Sequence, residues 1–273
     1  MPPKLGVIAG KGELPNLVVE AARAQKRPIF VLAIEGQTAP VLVEDVEHAW
    51  VSMGSVGRAI ERLHGAQVED VVFAGAIHRP SLAKIGLDVR AAGLLARMGR
   101  AALGDNSILE TLIRELEGEG FRVIGADDVL SELVAGEGPF GRHQPDDTAE
   151  SDIGRGVEVA RALGTVDVGQ AVVVQQGLVL GVEAIEGTDA LIWRTKGIAR
   201  EGPGGVLVKI KKSGQDRRAD LPTIGVSTVR SCAETGLRGI AVEAGETLVL
   251  GRKELIAAAD AAGLFVTGIR ITP

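Results

Sequence analysis

The sequence predicts an α/β protein with two lobes, an N-terminal Rossmann-like βαβ sheet domain and a C-terminal α/β domain with a mixed sheet. Three observations lead to this prediction. The chain opens with an apolar strand, a glycine loop, an amphipathic helix and a second strand, which is the order of a βαβ unit. A length of 273 residues favours two ordinary domains over one. A polar stretch rich in glycine and proline, AGEGPFGRHQPDDT, interrupts the chain near its middle.

This stretch sets the predicted domain boundaries. We place an N-terminal domain that binds nucleotide or substrate at residues 1–134, a linker at 135–148 and a catalytic domain at 149–273. The linker has no apolar period of a helix or strand, and its composition is typical of a connection between domains.

The composition excludes several classes of protein. A net charge of −6 argues against general nucleic-acid binding, which depends on basic surface. The single cysteine, Cys232, cannot form an internal disulfide. The opening residues MPPKLGVIAGKG do not resemble a signal peptide, and no apolar run is long enough for a membrane span. We therefore expect a cytoplasmic protein. Because the chain is acidic overall, an anionic substrate would have to bind to local basic residues or to a metal.

The first loop carries the first candidate site. In GKGELP, Gly10 and Gly12 match the first two glycines of the dinucleotide fingerprint, but Pro15 occupies the third position. One interpretation is a phosphate or nucleotide loop at a helix N-terminus, with Lys11 and backbone N–H groups facing the ligand. The other is a glycine turn that only starts the helix. The sequence leaves both open.

Two later positions in the first lobe, a strand end and a helix start, add candidates. The strand VEDVVFAG ends at Gly75, and His78 and Arg79 follow it. Arginine suits phosphate through its bidentate fork, whereas a lone histidine here is more typical of an exposed loop. Asp105 begins the amphipathic helix DNSILETLIRELEGEG, where it caps the helix and is also a candidate for contact with substrate.

The second lobe contains two acidic turns, EAIEGTD (183–189) and ADLPTIG (219–225), each following a segment that resembles a buried strand. They supply four candidate metal ligands: Glu183, Glu186, Asp189 and Asp220. Lys209 and Lys211 lie two residues apart, on one face of the strand that leads toward the second turn. Ligands usually bind at the strand ends of α/β sheets.

Carboxylates beside ammonium groups suit a phosphate bound through Mg²⁺, which usually takes one or two protein carboxylates together with water and substrate phosphate. Simpler interpretations exist. Asp220 before Leu-Pro is a common turn residue, and Glu186 and Asp189 suit the N-terminus of the following helix. The repetition of an acidic turn favours a site. The four histidines are scattered, which disfavours a zinc hydrolase.

Four runs resemble a known family: GLVLGVEAIEGTDALIWR (177–194), QDRRADLPTIGVST (215–228), VEAG (242–245) and GLFVTGI (263–269). They are similar to the UDP-2,3-diacylglucosamine pyrophosphatases of the lipid A pathway, the two-domain magnesium-dependent type, and the resemblance extends nearly end to end. Arg79 and Pro80 match the family pattern. Asn106 departs from it, because family members often carry two acidic residues at this turn.

The resemblance implies hydrolysis of UDP-2,3-diacylglucosamine to UMP and 2,3-diacylglucosamine 1-phosphate, with Mg²⁺ as cofactor or Mn²⁺ as its alternative. Asp220 would hold the metal or orient the attacking water, helped by the other three acidic candidates. Lys209 and Lys211 would offset charge on the phosphates. The expected substrate-binding residues are Gly10, Lys11, Gly12, Leu14, Gly75, Arg79, Asp105, Gln170, Thr188 and Thr223.

The expected partner is a lipid-linked UDP-sugar, met in transient contact with the inner face of the membrane. The apolar helix faces make a homodimer an open alternative to a monomer. Two rival functions remain: a nucleotide-sugar or dinucleotide-binding oxidoreductase, and a non-catalytic nucleotide or lipid carrier.

Overall fold

The computed structural model describes residues 2–77, 86–98 and 105–272, with the backbone alone at 105 and 106. The chain forms two compact units. The N-terminal unit runs to Ser131 and also includes Asp216–Asp220, and the C-terminal unit comprises Glu132–Gln215 and Leu221–Pro273. The return of a short late segment to the first unit has no counterpart in the sequence pattern.

The elements of the N-terminal unit alternate between strands and helices. Its strands are β1 (Leu5–Ala9), β2 (Ile29–Ile34), β3 (His48–Val51), β4 (Asp70–Ala74) and β5 (Arg122–Ile124). Its helices are α1 (Leu14–Ala24), α2 (Val56–Gly65), α3 (Val89–Met98), α4 (Asp105–Gly118) and α5 (Ala126–Val129), with a short 3-10 helix at Pro40–Val43.

The N-terminal sheet is parallel, in the order β3-β2-β1-β4-β5. Its central strands are apolar on both faces, as expected of a parallel sheet covered by helices. Starting from β1, the chain builds toward one edge through β2 and toward the other through β4. The carboxyl ends of β1 and β4 therefore form the topological switch point, where open α/β sheets bind ligands.

The C-terminal unit begins with β6 (Gly138–Pro139) and a long helix, α6 (Asp147–Thr165). Its further strands are β7 (Ala171–Gln175), β8 (Leu178–Val182), β9 (Val206–Lys209), β10 (Thr223–Ile224), β11 (Gly239–Glu243), β12 (Leu248–Val249) and β13 (Phe265–Ile269). Its further helices are α7 (Thr188–Thr195), α8 (Val226–Thr235) and α9 (Arg252–Ala262), with a 3-10 turn at Lys196–Ile198. Another 3-10 turn, Ser131–Leu133, precedes β6 where the chain leaves the first unit.

The main sheet of the C-terminal unit has the order β6-β13-β11-β9-β7-β8. Strands β9, β11 and β13 are parallel, whereas β6, β7 and β8 pair antiparallel to their neighbours. Alternate residues of these strands fill two cores, one shared with α6 and the other with α7, α8 and α9. The predicted α/β class, with a parallel first sheet and a mixed second sheet, is confirmed.

Residues predicted as the linker contribute to the C-terminal unit. Gly138–Pro139 pairs with β13, and the Asp146 side chain caps α6 by accepting a 2.8 Å hydrogen bond from the backbone N–H of Ala149. The boundary at 135–148 stays a prediction.

Candidate functional site

The first candidate site lies at the switch point of the N-terminal sheet. Gly10 follows β1 and Gly75 follows β4, and their segments are joined by backbone hydrogen bonds. The N–H of Gly10 donates to Ala74 O at 2.8 Å, and the N–H of Lys11 donates to Ala76 O at 2.7 Å. These two N–H groups are therefore occupied by the protein itself.

Both glycines are required by this close approach. A Cβ on Gly10 would lie 2.6 Å from the carbonyl oxygen of Ala76, and one on Gly75 would lie 2.4 Å from that of Lys11. Gly75 also has a φ of +87°, which L-residues rarely adopt. The structure thus gives the predicted residues Gly10 and Gly75 a clear role in shaping the loop.

The remaining part of the loop leads into α1. Gly12 has a φ of +93° and open space where a Cβ would be. Leu14 is the first residue of α1, and the preceding Glu13 provides no side-chain cap. Among the described residues, no backbone carbonyl accepts a hydrogen bond from the N–H of Gly12, Glu13 or Leu14. They are the donors that an anion at this helix N-terminus would meet.

Other N-terminal predictions cannot be placed. His78, Arg79 and Pro80 lie outside the described residues, as do the side chains of Asp105 and Asn106. Their assignments stay predictions.

The second candidate site lies at one edge of the main C-terminal sheet. The parallel strands β9 and β11 end at this edge, with Lys209 opposite Val242. The antiparallel strand β7 begins there, with Ala171 opposite Lys209, and the N–H of Glu183 donates to Ala171 O at 2.8 Å. Register alone therefore brings Gln170, Glu183, Lys209 and Glu243 to the same edge.

Glu183 is held firmly at this edge. The residue is 6% exposed. Oε1 accepts a 2.6 Å hydrogen bond from the Thr188 hydroxyl, and Oε2 accepts one of 3.0 Å from the backbone N–H of Gln170. Gln170 and Thr188, both predicted to bind substrate, thus contact the predicted metal ligand Glu183. The Gln170 Oε1 atom is itself buried, and no group in the described parts of the chain donates to it, which suits a donor on a ligand.

The other two acidic candidates of this turn differ from Glu183. Arg194 Nη2 lies 2.9 Å from Glu186 Oε1. A hydrogen bond from its own backbone N–H, followed by the Arg194 contact, outweighs the effect of burial and holds the pKa of Glu186 below its usual value. Asp189 is in the first turn of α7, where a carboxylate favours the helix dipole.

The two predicted lysines have different partners. Lys209 is 8% exposed, and its Nζ donates to the backbone carbonyl of Thr223 at 3.0 Å. Lys211 Nζ lies 2.8 Å from Glu246 Oε2, and its backbone N–H donates to Glu243 Oε2 at 2.9 Å. Lys209 is thus a buried cation beside a carbonyl, whereas Lys211 is already paired with a carboxylate.

Asp220 belongs to the N-terminal unit and is exposed. Its backbone N–H and that of Ala219 both point to the carbonyl of Asp216, at 3.4 and 2.9 Å. The segment is therefore a compact turn, and Asp220 is its last residue.

A divalent cation would be bound by the predicted acidic ligands, Glu183, Glu186, Asp189 and Asp220. Among residues 2–77, 86–98 and 105–272, no three His, Cys, Asp or Glu side chains form a group that could hold a metal ion. Mg²⁺ needs only one or two protein carboxylates when phosphate and water complete its shell. An exposed carboxylate such as Asp220 suits this mode of binding, and the assignment of the four acidic residues to a metal stays a prediction.

Comparison with known proteins decides the family. The model of the LpxI N-terminal domain matches residues 4–133, and that of the LpxI C-terminal domain matches residues 136–267. The chain belongs to the LpxI family. The resemblance inferred from the acidic turns is confirmed.

A curated member of the LpxI family supports this result over almost the whole chain. The UDP-2,3-diacylglucosamine pyrophosphatase LpxI of Caulobacter vibrioides is 39% identical over 273 residues, covering 97% of this chain and 97% of its own.

Solved structures add little to the LpxI assignment. The biotin carboxylase subunit of pyruvate carboxylase is 14% identical, with 63% of this chain and 35% of that chain covered and a TM-score of 0.28. The biotin carboxylase domain of Hydrogenobacter thermophilus 2-oxoglutarate carboxylase is 11% identical, with 71% and 40% covered and a TM-score of 0.30. The chain thus spans less than half of either structure.

The structure of this LpxI-family chain also places Glu243 at the edge that carries Glu183 and Lys209, where the sequence suggested that it could join the acidic cluster. Glu243 contacts the Lys211 backbone, and burial, partly opposed by that hydrogen bond, raises its pKa. Its position at the end of an apolar strand was the available signal. No helix in the described parts of the chain is long and apolar enough to cross a membrane.

Proposed function

We propose that the chain hydrolyses the diphosphate of UDP-2,3-diacylglucosamine, giving UMP and 2,3-diacylglucosamine 1-phosphate. The observation that carries this proposal is the match to both LpxI domain models together with a 39% identical pyrophosphatase that covers 97% of each chain. A water oxygen forms a bond to one phosphorus of the diphosphate, and the bond from that phosphorus to the bridging oxygen breaks.

Asp220 is the residue to which we assign the chemistry. Its exposed carboxylate would ligate a divalent cation, Mg²⁺ or Mn²⁺, or accept a hydrogen bond from the attacking water. Such a cation, when bound, supplies positive charge that stabilises the phosphate oxygens in the transition state. Glu183, Glu186 and Asp189 would support this role.

Cationic and N–H groups would bind the phosphates. Lys209 is a candidate because its ammonium has no carboxylate within 4.0 Å among the described residues. Lys211 is less available, since it is paired with Glu246. The N–H groups of Gly12 and Leu14 at the start of α1 form a second set of anion donors.

The proposed substrate carries two acyl chains, so we also propose that the protein acts in contact with the inner face of a membrane. The homodimer expected from the apolar helix faces stays a prediction, as does the cytoplasmic location.

The test is release of UMP from UDP-2,3-diacylglucosamine by purified protein with Mg²⁺ or Mn²⁺. Asp220→Ala should lower the rate by about 10²–10³-fold, the usual effect of removing a group that stabilises the transition state. Asp147→Ala, at an exposed carboxylate in the first turn of α6, is the control and should keep the rate.

Four results would contradict the proposal in different ways. Wild-type protein that releases no UMP with either metal would remove the activity. Asp220→Ala at the wild-type rate would remove only the assigned residue. A rise in melting temperature with NAD(P), without UMP release, would favour the rival oxidoreductase, and binding of the substrate without hydrolysis would favour a carrier.

A further inference from the structure

The segment Asp216–Asp220 is unusual in its placement. It groups with the N-terminal unit, although Gln215 before it and Leu221 after it belong to the C-terminal unit. Its last residue is Asp220, to which the proposed function assigns the chemistry. What attaches this segment to the N-terminal unit therefore bears on where the reactive carboxylate is held.

Two arginines attach the segment to helices of the N-terminal unit. Arg217 Nη2 lies 2.6 Å from Asp127 Oδ2 in α5. Arg218 Nη1 lies 2.6 Å from Glu117 Oε1 in α4. The two contacts fix adjacent residues of the segment to two different helices.

The next residue adds an apolar contact. Ala219 is 7% exposed and is part of the hydrophobic core of the N-terminal unit. The carbonyl of Asp216 accepts the N–H of Ala219, and Arg218 Nη2 lies 2.7 Å from Asp216 Oδ2. Three consecutive residues before Asp220 are thus held by two ion pairs and a buried methyl group.

We propose that Arg217 and Arg218 are positioning residues for the hydrolysis, which hold the Asp220 carboxylate on the N-terminal unit through Asp127 and Glu117. This proposal rests on the function proposed above. Neither arginine needs to touch the substrate, because each acts through the backbone that carries Asp220.

The energetics of these pairs fit a local role. Both arginine side chains are more than a third exposed, at 43% and 37%, so neither pair should add much to global stability. By contrast, the chain enters the N-terminal unit at Asp216 and leaves it again after Asp220. A segment this short depends on each local contact to stay ordered. Loss of both pairs should therefore disorder the segment while the rest of the protein stays folded.

The main experiment compares the double variant Arg217→Gln/Arg218→Gln with the conservative Arg217→Lys/Arg218→Lys. Both are assayed for UMP release at saturating metal. The kcat of the glutamine variant should fall by about tenfold, because the loss of each ion pair should lower kcat by a factor of about three. Its KM should stay within about twofold of the wild-type value. The lysine variant should recover at least half of the kcat, since lysine keeps the charge. Arg114→Gln, which removes the exposed 3.1 Å pair with Glu110 in α4, should behave as wild type.

A second measurement does not depend on catalysis. Hydrogen exchange of the peptide that spans residues 213–222 should be faster in the glutamine variant, while that of β9 and the melting temperature stay unchanged. Wild-type kcat or wild-type exchange in this variant would overturn the proposal. A raised KM with unchanged kcat would also overturn it, because the arginines would then bind substrate. Absence of UMP release by the wild-type protein would refute the proposed function, and the exchange data would still test the attachment of the segment.

Discussion

The Lys209 ammonium donates a 3.0 Å hydrogen bond to the backbone carbonyl of Thr223, three residues after Asp220. The contact links the end of β9 to the strand that leaves the second acidic turn. Lys209 is 8% exposed, and no described carboxylate lies within 4.0 Å of its ammonium group. A buried cation paired only with a carbonyl has positive charge to offer an anion.

Lys209→Met should lower the rate of UMP release by about tenfold or more, because it removes both this charge and the donor to the Thr223 carbonyl. Stability should change by less than about 2 kcal/mol, since the loss of the hydrogen bond is offset by the removal of a desolvated charge. Steady-state kinetics and urea unfolding measure the two effects. Lys253→Met, at an exposed position of α9, is the control. Equal rates for the two variants would exclude a role for Lys209.

Asp70 should make the stability of the protein depend on pH. Its residue is 2% exposed, and Arg122 Nη2 lies 2.6 Å from Oδ2, with Arg27 on the same oxygen. Burial acts to raise the pKa of Asp70, but hydrogen bonds and charge from Arg122 and Arg27 outweigh it and leave the pKa lowered. A lowered pKa in the folded state stabilises the protein above the unfolded pKa of about 3.9, and this stabilisation is lost as the pH falls through the folded value.

Asp70→Asn should therefore cost about 1–3 kcal/mol at pH 7, and the gap from wild type should shrink below about pH 4. Urea unfolding at several pH values measures it. Glu110→Gln, at an exposed pair on α4, should cost less than about 0.5 kcal/mol. A gap for Asp70→Asn that is the same at pH 3 and pH 7 would show that the carboxylate charge is not the cause.

Two glycines of α6 should respond in opposite directions to the same substitution. A Cβ on Gly156 would lie 2.5 Å from Cγ2 of Val208, whereas Gly154 has nothing within 4 Å. Gly156→Ala should destabilise the protein by about 1–3 kcal/mol through overpacking. Gly154→Ala should stabilise it by up to about 1 kcal/mol through helix propensity. Chemical unfolding of the pair gives the comparison, and a stabilised Gly156→Ala would show that α6 can shift away from the sheet.

Cys232 should be unreactive in the folded protein. The residue is fully buried, and burial, followed by the charge of Asp189, strongly raises the pKa of its thiol. Iodoacetamide at pH 8 should label it only after denaturation, as followed by mass spectrometry. Cys232→Ser should still release UMP, whereas a large loss of kcat with an unchanged melting temperature would indicate a catalytic thiol.

The sequence was sufficient for those parts of the structure that depend on local patterns. The apolar strand, glycine loop and helix around Gly10 predicted the start of the parallel sheet, and the acidic turn after VLGV predicted the position of Glu183 at a strand end. These features follow from periodicity and turn chemistry. The need for glycine at Gly75, in contrast, arises from its approach to the Lys11 carbonyl, which only pairing of β1 with β4 creates.

The sequence did not predict contacts between residues that are far apart in the chain. Arg217 pairs with Asp127 across 90 positions of sequence, and Arg218 pairs with Glu117 across 101. An ion pair between two distant segments produces no periodic sequence pattern in either of them. The pairing of Lys211 with Glu246 was missed for the same reason, and it changes which lysine is available to a phosphate.

The return of Asp216–Asp220 to the N-terminal unit has a practical consequence for protein engineering. A hybrid joined near residue 135 would take α4 and α5 from one parent and the arginines that face them from the other. Asp127 and Glu117 would then face residues of the second parent instead of Arg217 and Arg218. The space filled by Ala219 would have to accept whatever side chain the second parent supplies. Exchange of halves between relatives should therefore succeed only when the five-residue segment is transferred with the first half.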